Sequence, residues 1–209
     1  MRFARFGIIL ERLEHSHLEL VRQWRNSDWV RPYMRYQTII RATDQVRWFA
    51  RLNPRHNWFF VARVEDVPFA LFHVKGIDWF RQCGESGGFV GDPSFIGSPV
   101  SAQATLALMD FAFLVLHLQS LEAQYSAALP KIVRFNQQLG YQIFREETDG
   151  FVRARVTAER FFKCTDAFHK AAAALHGTAA SLVAPGPWLA RRLEPDGTSL
   201  LADFRLQLR

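Results

Sequence analysis

Apolar and polar positions along this chain follow two rhythms, and the alternation between them outlines its elements. A short apolar run at 8–13 suits a first strand, and HLELVRQWRN at 17–26 spaces Leu18, Val21 and Trp24 at helical intervals. A second helix is expected over 43–52, with Thr43 as N-cap and Val46, Phe49 and Ala50 on one face. Two β-rich runs, 58–64 and 68–77, are joined by Glu65, Asp66 and Val67 and read as a hairpin. Phe89 and Val90 lie in a further strand ended by Gly91-Asp92-Pro93. Ser98 suits an N-cap and Pro99 a first helical turn, opening a long apolar helix to about His117. A strand follows at 121–125, then a helix from Pro130 that stops at Leu139-Gly140. Runs 141–146 and 151–157 form a hairpin around Asp149-Gly150. Helices interleave with strands in the second half, so the fold class is α/β or α+β, built on one sheet.

The character changes after Thr157. Residues 158–176 are alanine-rich and helical in pattern, Pro185, Gly186 and Pro187 punctuate the chain, and 188–209 suggests a hairpin around Asp196-Gly197. The expected division is a domain over 1–160 and a helical and hairpin extension over 161–209, whose apolar faces suit cover for a neighbouring subunit, as in a homodimer.

Composition narrows the class. The 209 residues are 49% apolar and 14% aromatic, enough for a packed core and unlike a disordered chain. No run reaches the ~18 apolar residues of a membrane helix; the best, 104–118, is interrupted by Asp110. The start, MRFARFGIILERLEHSH, lacks the apolar stretch and small-residue cleavage site of a signal peptide, so a cytoplasmic protein without a membrane partner is expected. Cys83 and Cys164 have no metal-like spacing, and His15 and His17 stand without a second ligand cluster, so no metal is expected.

The net charge is +6, and 22 of the 26 basic residues are arginine. Eight arginines between Arg22 and Arg55 face only Asp28 and Asp44. That excess suits an anionic ligand such as phosphate, nucleotide or RNA, and equally suits a solvated helical face.

Chemistry is most legible where a strand runs into a helix whose first turn meets solvent. The unpaired N–H groups and the helix dipole there favour phosphate, and 95–101 occupies that position. By itself such a turn is common. Its context is E-S-G-G-F-V-G-D-P-S-F-I-G-S-P-V-S-A-Q-A-T-L-A-L-M-D-F-A-F from Glu85, which resembles the central strand, pyrophosphate loop and following helix of the GNAT acetyltransferases. Rim-type N-terminal acetyltransferases and the amino-sugar N-acetyltransferase of the pseudaminic acid pathway are the nearest in kind. V-R-Q-W-R-N-S-D-W-V-R at 21–31 resembles their substrate-side helices, and K-I-V-R-F-N-Q-Q-L-G-Y at 131–141 their penultimate helix. The likeness spans residues 5 to 160 in the family's order.

The resemblance implies a mixed, twisted sheet with splayed central strands, acetyl-CoA as co-substrate, and direct transfer to a primary amine in a ternary complex. A nucleotide-linked amino sugar, a small anionic amine, is the first acceptor expected and a peptide N-terminus the second; nucleic acid is not. It assigns the cofactor to Phe89 and Val90 on the strand, to Ile96, Gly97, Ser98, Val100 and Ser101 in the loop, and to Asn136. Glu85 matches a glutamate at the start of the family's central strand and is the candidate base, with His73 in reserve; Gly87 and Gly88 permit close approach of a ligand. Five positions depart from the family pattern. Ile96, Pro99 and Ser101 stand where Arg or Gln, Gly, and Gly or Ala are usual, and Pro99 brings no N–H, a loss of about 1 kcal/mol. Leu129 replaces a cofactor-contacting asparagine. Asn136 replaces the tyrosine that protonates the departing thiolate, which leaves Tyr125 as the nearest substitute acid. The same departures suit a second reading, a module of this fold that binds CoA, a protein or RNA without transfer.

Overall fold

The computed structural model describes residues 1–183 and 204–207. Its strands are β1 (Arg2–Arg5), β2 (Ile8–Arg12), β3 (Trp58–Val64), β4 (Val67–Asp78), β5 (Cys83–Val90), β6 (Ser120–Ser126), β7 (Gln142–Glu146), β8 (Phe151–Thr157), β9 (Ala180–Val183) and β10 (Phe204–Gln207). The helices are α1 (Leu18–Asn26), α2 (Ala42–Ala50), α3 (Pro99–Asp110), α4 (Pro130–Gln138) and α5 (Ala158–His176), with α3 running on into a π-helical turn, Phe111–Val115. One mixed sheet has the order β10-β9-β1-β2-β3-β4-β5-β6-β8-β7. Among the described residues its parallel pairs are β5 with β6 and β9 with β10.

Trp58 to Ala62 is buried at every position, because β3 is covered on both faces. Phe60 and Ala62 enter the larger core with Phe72, Val74, Leu106, Leu108 and Phe111 from β4, α3 and the π-turn. Phe59 and Val61 enter a smaller one with Leu71 and with Leu18, Val21 and Trp24 of α1. The sheet thus separates an α3 side from an α1/α2 side.

The pattern-based expectations stand with local corrections. β1 was not anticipated: RFAR is short and charged at both ends, and pairing with β2 makes it a strand. Arg41, without a side-chain cap bond, replaces Thr43 at the start of α2. That helix buries Gln45 and packs Trp48 edge-on to Phe59 at 5.0 Å, leaving Val46 exposed, because docking on the sheet sets its rotation. The division expected at residue 160 falls inside α5, whose Phe161 is fully buried and shares the larger core with Ala172, Ala180 and Leu182. The hairpin expected around Asp196-Gly197 lies outside the described residues, apart from 204–207, which pair with β9.

Asp110, fully buried at the end of α3, ties these elements together. It accepts from the Arg5 guanidinium on β1 and lies 2.9 Å from Nε2 of His169 on α5. The other ring nitrogen of His169 faces the Thr165 carbonyl at 3.0 Å. Two acceptors call for two ring protons. The His169 pKa is raised: burial opposes the charge, but Asp110 outweighs it.

Candidate functional site

β5 stays paired with β4 along its length but with β6 only over Cys83, Gly84 and Glu85. Beyond Glu85 the two parallel strands diverge into a wedge. The Gly91 N–H bonds the Phe69 carbonyl at 2.7 Å, so by alternation the backbones of Phe89 and Gly87 also face β4. Gly88 and Val90 therefore present their N–H and C=O groups to the gap. Ser86 sits at the vertex, 7% exposed, where its hydroxyl donates to the Glu122 carbonyl at 3.2 Å and meets the phenol of Tyr141. Burial raises the Tyr141 pKa, so that phenol keeps its proton.

β5 leads through a one-turn helix into α3. Ser98 caps α3, accepting from the Ser101 N–H and donating to the Phe95 carbonyl at 2.8 Å; Pro99 occupies the first turn. Within the loop, the N–H of Ile96 goes to Pro93, that of Ser98 to Phe95 and that of Ser101 to Ser98. Of the expected loop donors, this leaves the Gly97 and Val100 amides uncommitted among the described residues. Gly97 has φ +73°, and a Cβ there would meet open space. Phe95 stacks on Phe69 at 4.8 Å, which holds this turn on the α3 side.

Tyr125 projects from β6 to the same side and is 7% exposed. Its hydroxyl is buried with no hydrogen-bond partner, near enough to Tyr141 for the two phenols to interact electrostatically. Burial raises its pKa. A buried hydroxyl without a partner is costly, which makes this the most informative polar atom in the wedge. Asn136 does not join it: its amide donates to Ile132, one turn back on α4, at 2.9 Å.

The other face of the wedge carries Glu85, Gly87 and Phe89. Glu85 is paired with Lys75 at 2.9 Å, and Glu122 beside it with Arg155 at 2.5 Å. The His73 ring lies over Gly87, where a Cβ would come within 2.9 Å, and against Phe59 at 5.1 Å. Its pKa is pushed down to about 3 by burial and by Lys75, so the imidazole is neutral and a weak base. Ser86 and Tyr141 were not among the sequence candidates; the Gly140-Tyr141 ending was the one visible signal, and nothing marked Ser86. Cavities of ≈ 280 Å³ between α1 and α2 and ≈ 320 Å³ beside Phe49 and Phe59 share no lining residue with the wedge. Unpaired polar groups, not volume, identify the site.

No family model matches the chain, and no curated protein does. Solved structures do. A spermidine N-acetyltransferase from Vibrio cholerae, in complex with CoA and spermine, superposes with a TM-score of 0.66 at 14% identity, over 76% of this chain and 99% of that one. An uncharacterized protein from Bacillus halodurans gives 0.64 at 15% identity, over 76% and 88%. A domain from Methanocaldococcus jannaschii gives 0.59 at 13%, over 72% and 97%. The mixed sheet with flanking helices is the GNAT fold.

Proposed function

We propose that the protein is an acetyl-CoA-dependent N-acetyltransferase acting on a primary amine. The observation that carries this reading is the wedge itself. Its open backbone edge leads directly to uncommitted amides at the start of α3, and a buried unpartnered hydroxyl lies within it. Gly88 and Val90 suit the amides of a pantetheine arm, and Gly97 and Val100 with the α3 dipole suit a pyrophosphate. The acceptor enters from the opposite face. Its amine attacks the thioester carbonyl, whose developing negative charge needs an N–H of the β5 edge. As the C–N bond forms and the C–S bond breaks, Tyr125 donates to the sulfur. The proton of the incoming ammonium goes to Glu85 or through it to water. Release of Glu85 from Lys75 is part of that role.

The arginine excess that favoured an anionic acceptor is largely absorbed by the chain. Arg22 pairs with Glu19, Arg31 with Asp28 and Arg47 with Asp44; Arg25 donates to the Tyr36 carbonyl, and Arg35 pairs with Glu147 and Asp149. The acceptor panel therefore spans an amino-sugar nucleotide, a free peptide N-terminus and, given what the Vibrio enzyme is named for, spermidine. Among the described residues no helix is long and apolar enough to cross a membrane, and a cytoplasmic location is part of the proposal.

Isothermal titration with acetyl-CoA and CoA is the test. Micromolar binding is expected, and Gly97→Asp, which puts a carboxylate where a phosphate would sit, is expected to abolish it. A folded Gly97→Asp protein with undiminished affinity would remove this cofactor site. Asn136, closed on its own helix, favours one alternative, a module that binds CoA without transfer. Tight CoA binding with no turnover of any probe is the outcome that selects it.

A further inference from the structure

Residues 27–40 connect α1 to α2 as a compact loop. The Asn26 side chain closes its base, bonding both the N–H and the C=O of Ile40 at 2.8 and 2.9 Å, and Arg22 adds a bond to the same carbonyl. A clasp from Arg25 to the Tyr36 carbonyl shapes its middle. The tip reaches two distant places. The Trp29 indole donates to the Gly91 carbonyl at 2.9 Å, at the end of β5. Arg35 pairs with Glu147 and Asp149, beyond the end of β7 and just before β8, at 2.5 Å to Glu147 and with Nε 2.7 Å from Asp149, and lies over the Phe151 ring. Phe151 is paired with Ser126, the last residue of β6. The tip is thus anchored at the free end of each arm of the wedge.

The anchors differ in kind. At the first, Val30 is buried and the Trp24 ring packs so closely on Gly91 that a Cβ there would lie 2.0 Å from it. At the second, Arg35 is 44% exposed and reaches Glu147, itself 14% exposed, the 42% exposed Asp149 and the Phe151 ring. Glu147 also accepts from Arg153 at 2.8 Å and from Gln124 at 3.4 Å, and Asp149 is open to water. The Arg35–Asp149 pair is open to water at both partners, and such pairs are weak and salt-screened. Between and beyond the anchors, Tyr33, Tyr36 and Ile39 are more than half exposed.

We propose that this loop is a strap across the acceptor mouth of the wedge, hinged at Trp29 and latched by Arg35, and that Arg35 is a positioning residue for the acceptor amine. The proposal rests on the transferase reading for its consequence and on geometry for its mechanism. Release of Arg35 swings the Tyr33–Tyr36 segment away from the β8 arm and opens the acceptor face. The acetyl-CoA side, behind β5, is untouched. The acceptor's apolar body then packs on the strap's exposed aromatics.

Hydrogen exchange by mass spectrometry over 27–40 decides the latch, with Arg35→Ala, Arg35→Lys and Asp149→Asn compared with the parent protein. Exchange over 31–36 is expected to rise about tenfold in Arg35→Ala, less in Asp149→Asn and least in Arg35→Lys, with 27–30 unchanged. Raising NaCl from about 0.05 to 0.5 M is expected to reproduce the change in the parent and add little to Arg35→Ala. Exchange indifferent to Arg35→Ala would overturn the strap. With spermidine and a free-N-terminus peptide as probes, KM for the amine should shift about fivefold in Arg35→Ala while KM for acetyl-CoA holds within about twofold, Arg35→Lys restoring most of the loss. Both KM values moving together would mean a merely structural Arg35, against the proposal. A parent protein that transfers to neither of these probes nor to an amino-sugar nucleotide would refute the function proposed above, and exchange would still decide the strap.

Discussion

Tyr125→Phe sets stability against chemistry at a single atom. The Tyr125 hydroxyl is buried without a partner, while its ring packs in the larger core beside Ala123, Tyr141 and Val152. A buried polar group left unsatisfied costs about 1–3 kcal/mol, and phenylalanine keeps the ring while removing that group. Some of the gain is offset by the small void left behind, so a stabilisation of about 1 kcal/mol is expected. For a domain of this size that raises Tm by about 2–4 °C. Turnover should move the other way, by about 10²-fold or more, if the hydroxyl donates to the leaving sulfur. Burial holds the phenol pKa above its ordinary value, so the proton is present throughout the neutral range and no Tyr125 ionisation should appear in the pH profile. The assays are scanning calorimetry, CoA titration and detection of released thiol with the probe amine turned over best. A lower Tm in Tyr125→Phe would show that the hydroxyl has a partner after all. A higher Tm with unchanged turnover would take Tyr125 out of the chemistry.

Other outcomes follow from the same geometry. Asp110→Ala leaves Arg5 and His169 without their shared buried partner, and a loss of about 3–5 kcal/mol is expected by calorimetry; a loss under about 1 kcal/mol would mean that the triad is dispensable. Because the folded His169 pKa is raised above 6.5, its stabilisation is complete below that value and fades as pH climbs through the folded pKa. The Tm gap between the parent and His169→Gln should therefore be wider at about pH 6 than at about pH 9, and a gap that grows with pH would reverse the sign of this argument. Glu85→Gln should lower turnover and flatten its pH dependence without altering CoA affinity. A parent-like profile would assign proton removal to water, since His73 is too weak a base to inherit it.

The local signals in the chain were reliable where one short segment carried the whole cause. Ser98-Pro99 announced the start of α3, Gly140 the end of α4 and Asp149-Gly150 the last hairpin, and each of these glycines has positive φ. Tyr125 was legible too as a residue on a strand. Its missing hydrogen bond was not legible, because that depends on which groups distant segments bring near. Glu85 was visible as a residue type, while its Lys75 partner came from strand register. The loop donors were overcounted from sequence, because the short helix before α3 consumes the amides of Ile96 and Ser98 on its own carbonyls.

What the sequence determined by itself is the order of elements from β2 to α5, the strand–loop–helix geometry around 85–101 and the class of fold, because hydrophobic period, caps and turn residues act over a few neighbours. Only the tertiary structure decided where β5 parts from β6, that Phe161 joins the core, and that Arg35 spans 112 residues of sequence to Glu147. These are relations between segments distant in the chain, set by sheet register and by which buried groups find partners, and no local pattern encodes them.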